Sequence, residues 1–196
     1  MTMRVVAGSQ KGRRLKQPTG QGLRPTSARV KEALFSIIAE RLPNAHVLDL
    51  YAGTGALGLE ALSRGARNVV FVENQPTSIH ILRENIALCG LMDKSTIIAQ
   101  DVTAYLSTDF SWQNSSPFDV VFADPPYEVS DLELLLTKLD ACDQLASHGL
   151  VVMEHFKKTS LPATAGRLHQ TRQARYGDTM LTFYQLHSPL KDDSCE

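Results

Sequence analysis

The stretch His46-Val47-Leu48-Asp49-Leu50-Tyr51-Ala52-Gly53-Thr54-Gly55-Ala56-Leu57-Gly58 decides the fold. Its first five residues form a short apolar run that reads as a buried strand. Glycines at 53, 55 and 58 then give G-x-G-x-x-G between that strand and a helix over Ala56–Ser63. Glycine lets the backbone turn tightly and approach a ligand, and the helix start offers N–H groups without intrahelical partners. Downstream, strands are predicted over Asn68–Val72, Ser95–Ala99, Phe118–Ala123 and Leu150–Glu154. Helices are predicted over Pro76–Cys89, Val102–Leu106 and Asp131–Cys142. This alternation implies right-handed crossovers and a parallel sheet covered on both faces. Arg167–Arg175 and Thr179–His187 flank Tyr176-Gly177-Asp178 and lie too close for a crossover helix. They read as an antiparallel hairpin at the sheet edge. The expected fold is α/β, Rossmann-like, with a mostly parallel seven-stranded sheet.

Upstream, Val30, Ala33, Leu34, Ile37, Ile38 and Leu42 mark one apolar helical face. Thr26 or Ser27 can cap that helix, and Pro43 ends it. Before it, Val5, Val6 and Leu15 flank Gly8–Gly12 as a short hairpin requires. The net charge of −1 conceals an asymmetry. Residues 1–41 hold nine Lys/Arg against Glu32 and Glu40, so this segment is +7 and the remainder −8. A basic arm on an acidic body suits a polyanionic partner, although a solvated tail would look similar. The natural division is a basic arm and helix over 1–42, a catalytic domain over 43–188 and a frayed tail over 189–196. No apolar run approaches the ~18 residues of a membrane span. Cys89, Cys142 and Cys195 are scattered, which fits a reducing cytoplasm, and no Cys/His spacing suits a metal. A cytoplasmic protein without metal or membrane partner is expected, and a monomer.

The glycine loop alone serves nicotinamide enzymes and methyltransferases equally. Glu73, 20 residues after Gly53, can accept hydrogen bonds from ribose hydroxyls at the tip of the second strand. Asp49 sits near the mouth, where it can help hold an ammonium group, directly or through water, whereas a pyrophosphate dianion would gain little there. Asp101, after the third strand, can accept from an adenine amino group or cap the following helix. These points favour S-adenosylmethionine.

Asp124-Pro125-Pro126-Tyr127 follows the Phe118–Ala123 strand directly. The strand ends beside the crevice where doubly wound sheets bind ligands. The prolines stiffen the backbone, and Asp124 with the Pro125 carbonyl supplies two acceptors. An exocyclic amine on a nucleobase is a poor nucleophile, because its lone pair is delocalised into the ring. Two acceptors can grip its hydrogens and aim the nitrogen at a sulfonium methyl group. Tyr127 offers a stacking face for a base held outside a helix. A tight Pro-Pro turn with a packed tyrosine is the bland alternative.

With those residues placed, the chain resembles the amino-methylating Rossmann-like methyltransferases, the class I fold. Within them it is similar to the RsmD family, the 16S rRNA (guanine(966)-N(2))-methyltransferases. Three stretches carry this: Gly22–Phe35, Ala52–Gly65 and Tyr176–Thr179. The resemblance implies S-adenosylmethionine against Asp49, Ala52, Gly53, Thr54, Gly55, Glu73, Asn74, Asp101 and Val102. It also implies a guanine amino group among Asp124, Pro125, Pro126 and Tyr127. The implied substrate is small-subunit ribosomal RNA, in an assembled or partly assembled particle. Arg4, Lys11, Arg13, Arg14, Lys16, Arg24, Arg29 and Lys31 would meet its backbone. From the motifs alone, an adenine-N6 methyltransferase on DNA or RNA and a non-catalytic ribosome assembly factor stay open.

Overall fold

The computed structural model describes residues 3–18, 28–108, 116–126 and 132–186. Its elements in chain order are α1 (Ala28–Ile37), β1 (His46–Leu50), α2 (Ala56–Ser63), β2 (Asn68–Glu73), α3 (Pro76–Cys89), β3 (Ser95–Ala99), α4 (Val102–Leu106), β4 (Phe118–Ala123), α5 (Leu132–Ala141), β5 (Leu145–Phe156), β6 (Thr164–Ala165), β7 (Leu168–Tyr176) and β8 (Thr179–Leu186). A short 3-10 turn, Ala39–Arg41, extends α1 toward Pro43. One eight-stranded sheet has the order β3-β2-β1-β4-β5-β8-β7-β6. β3 through β5 pair in parallel, and β8, β7 and β6 add antiparallel.

Successive side chains of a strand point to opposite faces, and here both faces are covered. Val47, Val69, Phe71, Val120 and Phe122 join α1, α2 and α3 in one apolar cluster. Leu48, Leu50, Val72, Val121 and Ala123 join α4 and α5 in the other. Strands buried on both sides carry few polar positions, which is why β1, β2 and β4 read as apolar runs.

Three expectations need correction. The sheet has eight strands rather than seven, because the two-residue β6 pairs with β7. β5 runs from Leu145 rather than Leu150; its polar start pairs with Phe118 across a register shift, so backbone pairing, not hydropathy, extends it. The hairpin is not wholly at the edge: β8 lies inside, between β5 and β7. The capping residues Thr26 and Ser27, and the tail, lie outside the described residues.

The basic arm is an integral layer. Its strands cross at an Arg4–Arg14 bridge, with Val5 N donating to Arg13 O at 3.0 Å. Val5 and Leu15 are buried in the same cluster as α1 and α2, so arm and sheet share one core. The arm is tied to α2 by Glu60, which is wholly buried. Its carboxylate accepts from Val6 N at 2.8 Å and Ala7 N at 2.9 Å. Lys31 Nζ of α1 lies 3.1 Å away and Arg64 Nε 2.9 Å away. Arg64 also stacks over the Phe35 ring, 5.0 Å from its centroid. Gly8 passes so close to α2 that a Cβ would fall 1.8 Å from Ser63 O.

Breaking a buried ion pair from one side costs about 3–5 kcal/mol, because the remaining charge has no solvent. Glu60→Ala is therefore expected to lose stability on that scale in urea denaturation. It should also make residues 3–15 the first site of limited proteolysis. Unchanged stability and an intact arm would show that Glu60 is not the anchor.

Candidate active site at the sheet switch point

Strand order reverses between β1 and β4, which is where open α/β sheets form their ligand crevice. Leu50 pairs with both Val72 and Ala123, so the Tyr51–Gly55 turn and the Asp124–Pro126 turn leave the sheet side by side. The first turn is strained. Tyr51 has φ +57° and Gly53 φ +54°. A bulky residue in the left-handed region costs about 1–3 kcal/mol and persists only where its surroundings hold it. Ala52 N donates to Val72 O at 3.1 Å and Gly55 N to Ala52 O at 2.8 Å, which hold this turn.

The three glycines serve different ends. A Cβ on Gly53 would meet only Tyr51 O, at 3.9 Å, so the backbone there is open to a ligand. A Cβ on Gly55 would fall 2.4 Å from Leu82, and one on Gly58 2.2 Å from Phe71. Those two glycines let α2 and α3 pack on the sheet.

Carboxylates line the mouth. Glu73 Oε2 accepts from Gly53 N at 2.7 Å. Its Oε1 accepts from Asn74 N at 2.9 Å and Gln75 N at 2.8 Å. Asp49 is buried beneath the loop, its Oδ2 accepting from Gly58 N at 2.9 Å. Burial pushes the Asp49 carboxyl up to about 8; the Gly58 bond opposes this, and the charges of Asp124 and Glu73 add to it. Asp124 is half-buried, Pro125 buried and Pro126 exposed. Asp101 caps α4 through Ala104 N at 3.1 Å and remains exposed. Burial, and then the Asp101 charge, raise the pKa of the Tyr51 phenol.

Of the residues expected to hold a cofactor, Gly53, Thr54, Glu73, Asn74 and Asp101 ring this mouth. Ala52 and Gly55 are buried with their N–H groups engaged, so they shape the turn from beneath. The Val102 side chain belongs to the core under α4. Among the expected RNA contacts, Arg4, Lys11, Arg13, Arg14 and Arg29 are exposed, while Lys16 pairs with Glu84 at 2.7 Å. Lys31 is a correction. It is buried, bonded to Arg4 O and Glu60, and cannot reach a phosphate; burial lowers its pKa. Tyr127 and Arg24 lie outside the described residues.

Sequence reasoning missed Tyr51, whose left-handed backbone leaves no compositional mark. It also missed Asn85, buried on α3, whose amide donates to Thr54 O at 2.9 Å and Lys16 O at 3.1 Å while its Oδ1 accepts from Lys16 N at 2.7 Å. That one amide joins the arm to the glycine loop.

The family model Cons_hypoth95, described as Conserved hypothetical protein 95, matches residues 3–185. The Escherichia coli (strain K12) protein named Ribosomal RNA small subunit methyltransferase D is 31% identical over 98% of this chain and 94% of its own length. The Haemophilus influenzae protein of that name is 36% identical over 81% of each chain. The solved structure of a hypothetical protein from Thermus thermophilus has TM-score 0.78 and 34% identity, covering 92% of this chain and 97% of that one.

The Asp49 carboxyl gives a pH test. Its folded pKa, about 8, exceeds the ordinary value of 3.8, so folding favours the protonated form. That contribution is complete at pH values below the lower figure and is lost as pH rises through the upper one. Asp49→Asn keeps the acceptor for Gly58 N but cannot ionise. In chemical denaturation from about pH 5 to 9 without ligand, the variant should gain stability relative to wild type as pH rises. Parallel curves would mean that Asp49 is already charged throughout.

Proposed function

The chain belongs to the RsmD family, and from that premise we propose that it transfers a methyl group from S-adenosylmethionine to the exocyclic N2 amine of a guanine in small-subunit ribosomal RNA. The observation that carries this reading is the pairing of Leu50 with Ala123, which sets the Gly53 turn and the Asp124 turn side by side at the switch point. The relatives named as small-subunit rRNA methyltransferases support the substrate class.

The residues present fit the cofactor. Glu73 and Asp124 each lie within electrostatic reach of Asp49, a setting that favours a cationic ligand and disfavours a pyrophosphate. Gly53 and Thr54 would carry the methionine portion beside Asp49. Glu73 and Asn74 would hold the ribose, and Asp101 the adenine side. The bound cofactor supplies a methyl group already activated by a sulfonium charge.

The chain's own task is then to present the amine. Asp124 accepts one amine hydrogen and the Pro125 carbonyl the other, turning the nitrogen lone pair toward the methyl carbon. Pro125 and Pro126 hold that geometry by fixing φ. Asp124 takes up the proton that the amine sheds once the new C–N bond has formed, or passes it to water. Tyr127 stacks on the guanine ring. The exposed arginines and lysines of the arm hold RNA phosphates, in the cytoplasm and on an assembled or partly assembled particle.

Asp124→Ala is expected to abolish transfer while leaving S-adenosylhomocysteine affinity within a few-fold of wild type by calorimetry. A large loss of cofactor affinity would remove Asp124 from the base-gripping role. Nucleoside mass spectrometry of ribosomal RNA incubated with the wild-type protein should show N2-methylguanosine; N6-methyladenosine would refute the guanine assignment. Neutralising Arg13 and Arg14 together should weaken RNA binding and flatten its dependence on log salt by about one unit per lost phosphate contact. An unchanged slope would take the arm out of RNA binding.

A further inference from the structure

We infer that the RNA backbone flanking the target base is held by a second cationic surface, on the β5–β6 connection and the β7–β8 hairpin. This inference rests on the RNA methyltransferase reading and adds a partner surface to it.

The topology sets the direction of approach. The cofactor residues sit on the turns after β1, β2 and β3, and the base-gripping turn follows β4. In the order β3-β2-β1-β4-β5-β8, the sheet continues past that turn, away from the cofactor, through β5 and β8. A base entering against Asp124 therefore trails its backbone over those strands.

What stands there is basic. Ala123 pairs with Met153, and Phe156 with Thr179, so the hairpin tip projects beyond the same end of the sheet as Asp124. Two strand spacings separate them laterally, about 10 Å, and the tip reaches two to three residues further out, about 7–10 Å. At this end Lys157, Lys158 and Arg175 stand against Asp178 and, lower on β5, Glu154, within a remainder of the chain that is −8; Arg172 lies mid-strand on β7, and Arg167, at the opposite end of β7, pairs with Asp140. Lys158, Arg172 and Arg175 are exposed.

The surface is also rigid. Gly177, with φ +66°, fits the first loop position of a type II′ turn. Lys157 N donates to Asp178 O at 2.8 Å, and Lys157 Nζ meets Asp178 Oδ1 at 2.7 Å. Arg175 Nε donates to Gly177 O at 3.1 Å. Tyr176 packs against the same core as α1, and buried His155 bonds Thr182 Oγ1 at 2.8 Å. A fixed cationic ledge loses little entropy on meeting phosphates.

The arm cannot serve this purpose from its tip. Ser9, Lys11, Arg13 and Arg14 share an open groove with Leu88. Leu88 lies near the far end of α3, about 18 Å from Pro76 at the crevice mouth. The tip therefore reads a remote part of the RNA, and the hairpin reads the part next to the target.

The test uses the full-length protein carrying Lys158→Ala and Arg175→Ala, with Lys158→Arg and Arg175→Lys as the charge-keeping pair. Thermal melts check that each pair is folded. Binding to small-subunit ribosomal RNA is measured against salt by filter retention, and transfer is measured separately with labelled cofactor. The alanine pair should bind about tenfold more weakly, with a salt slope lower by about two, one per lost contact. Its kcat at saturating RNA should stay close to wild type, so that the loss falls on KM, and the charge-keeping pair should restore binding. Wild-type affinity and slope in the folded alanine pair overturn the inference, as does a loss that the charge-keeping pair shares. Wild-type protein that binds RNA but transfers no methyl group overturns the methyltransferase reading alone, since the binding comparison still decides the ledge.

Discussion

A single buried carboxylate organises the molecule. Glu60 has no solvent to satisfy it, so its lone pairs must be met within the fold. Two backbone N–H groups of the arm, the Lys31 ammonium of α1 and the Arg64 guanidinium meet it. Two segments, the arm and α1, are thereby fixed to one helix. That helix begins at the strained glycine turn, so whatever fixes α2 also fixes the mouth of the crevice. Asn85 repeats the device one helix over, joining Lys16 of the arm to Thr54 of the turn. The arm is a brace for the active site as well as a cationic surface, and its two roles use different residues: Lys31 is engaged in the brace, while Arg13 and Arg14 remain exposed.

The crevice derives its chemistry from the same use of acceptors. Glu73 accepts three hydrogen bonds from backbone N–H groups, which sets the turn without neutralising the carboxylate. Asp49 sits lower, buried, and is pushed toward its neutral form first by desolvation and then by Asp124 and Glu73. A cation arriving above them relieves that repulsion, and the same field disfavours any anion. The site thus separates ligands by charge before shape is considered.

Much of this was legible in the sequence because the signals were local and repeated. The apolar runs at 46–50, 68–72 and 118–123 mark strands in nearly their observed positions, since burial on both faces leaves an uninterrupted apolar run. The glycine loop and Asp124-Pro125-Pro126 could be placed because both follow a strand directly. The missing parts depend on contacts far apart in sequence. Glu60 looks like an ordinary helical glutamate until the arm is folded onto it, and Lys31 like a solvated cation. Gly55 reads as a ligand glycine, yet Leu82 explains why no side chain fits there, as Phe71 does for Gly58. The early start of β5 and the short β6 rest on backbone pairing that hydropathy does not record. Tyr51 follows no residue preference, since only its neighbours force it into the left-handed region.

The arrangement of charge also explains why a nucleobase rather than a phosphate would reach the centre. Glu73 and Asp124 stand about the buried Asp49 at the mouth, and the exposed cations Lys158 and Arg175 stand at the same end of the sheet. A polyanion drawn to these cations is repelled by the carboxylates, so its backbone stays outside while an uncharged base can enter. Taking that base out of its stack costs a few kcal/mol. Contacts with these cations offset this cost without drawing phosphate into the crevice only if they sit beside the opening and are held in place. The β7–β8 hairpin is held at this end by the Lys157–Asp178 pair and by buried His155, which pairs with Met180 next to the turn.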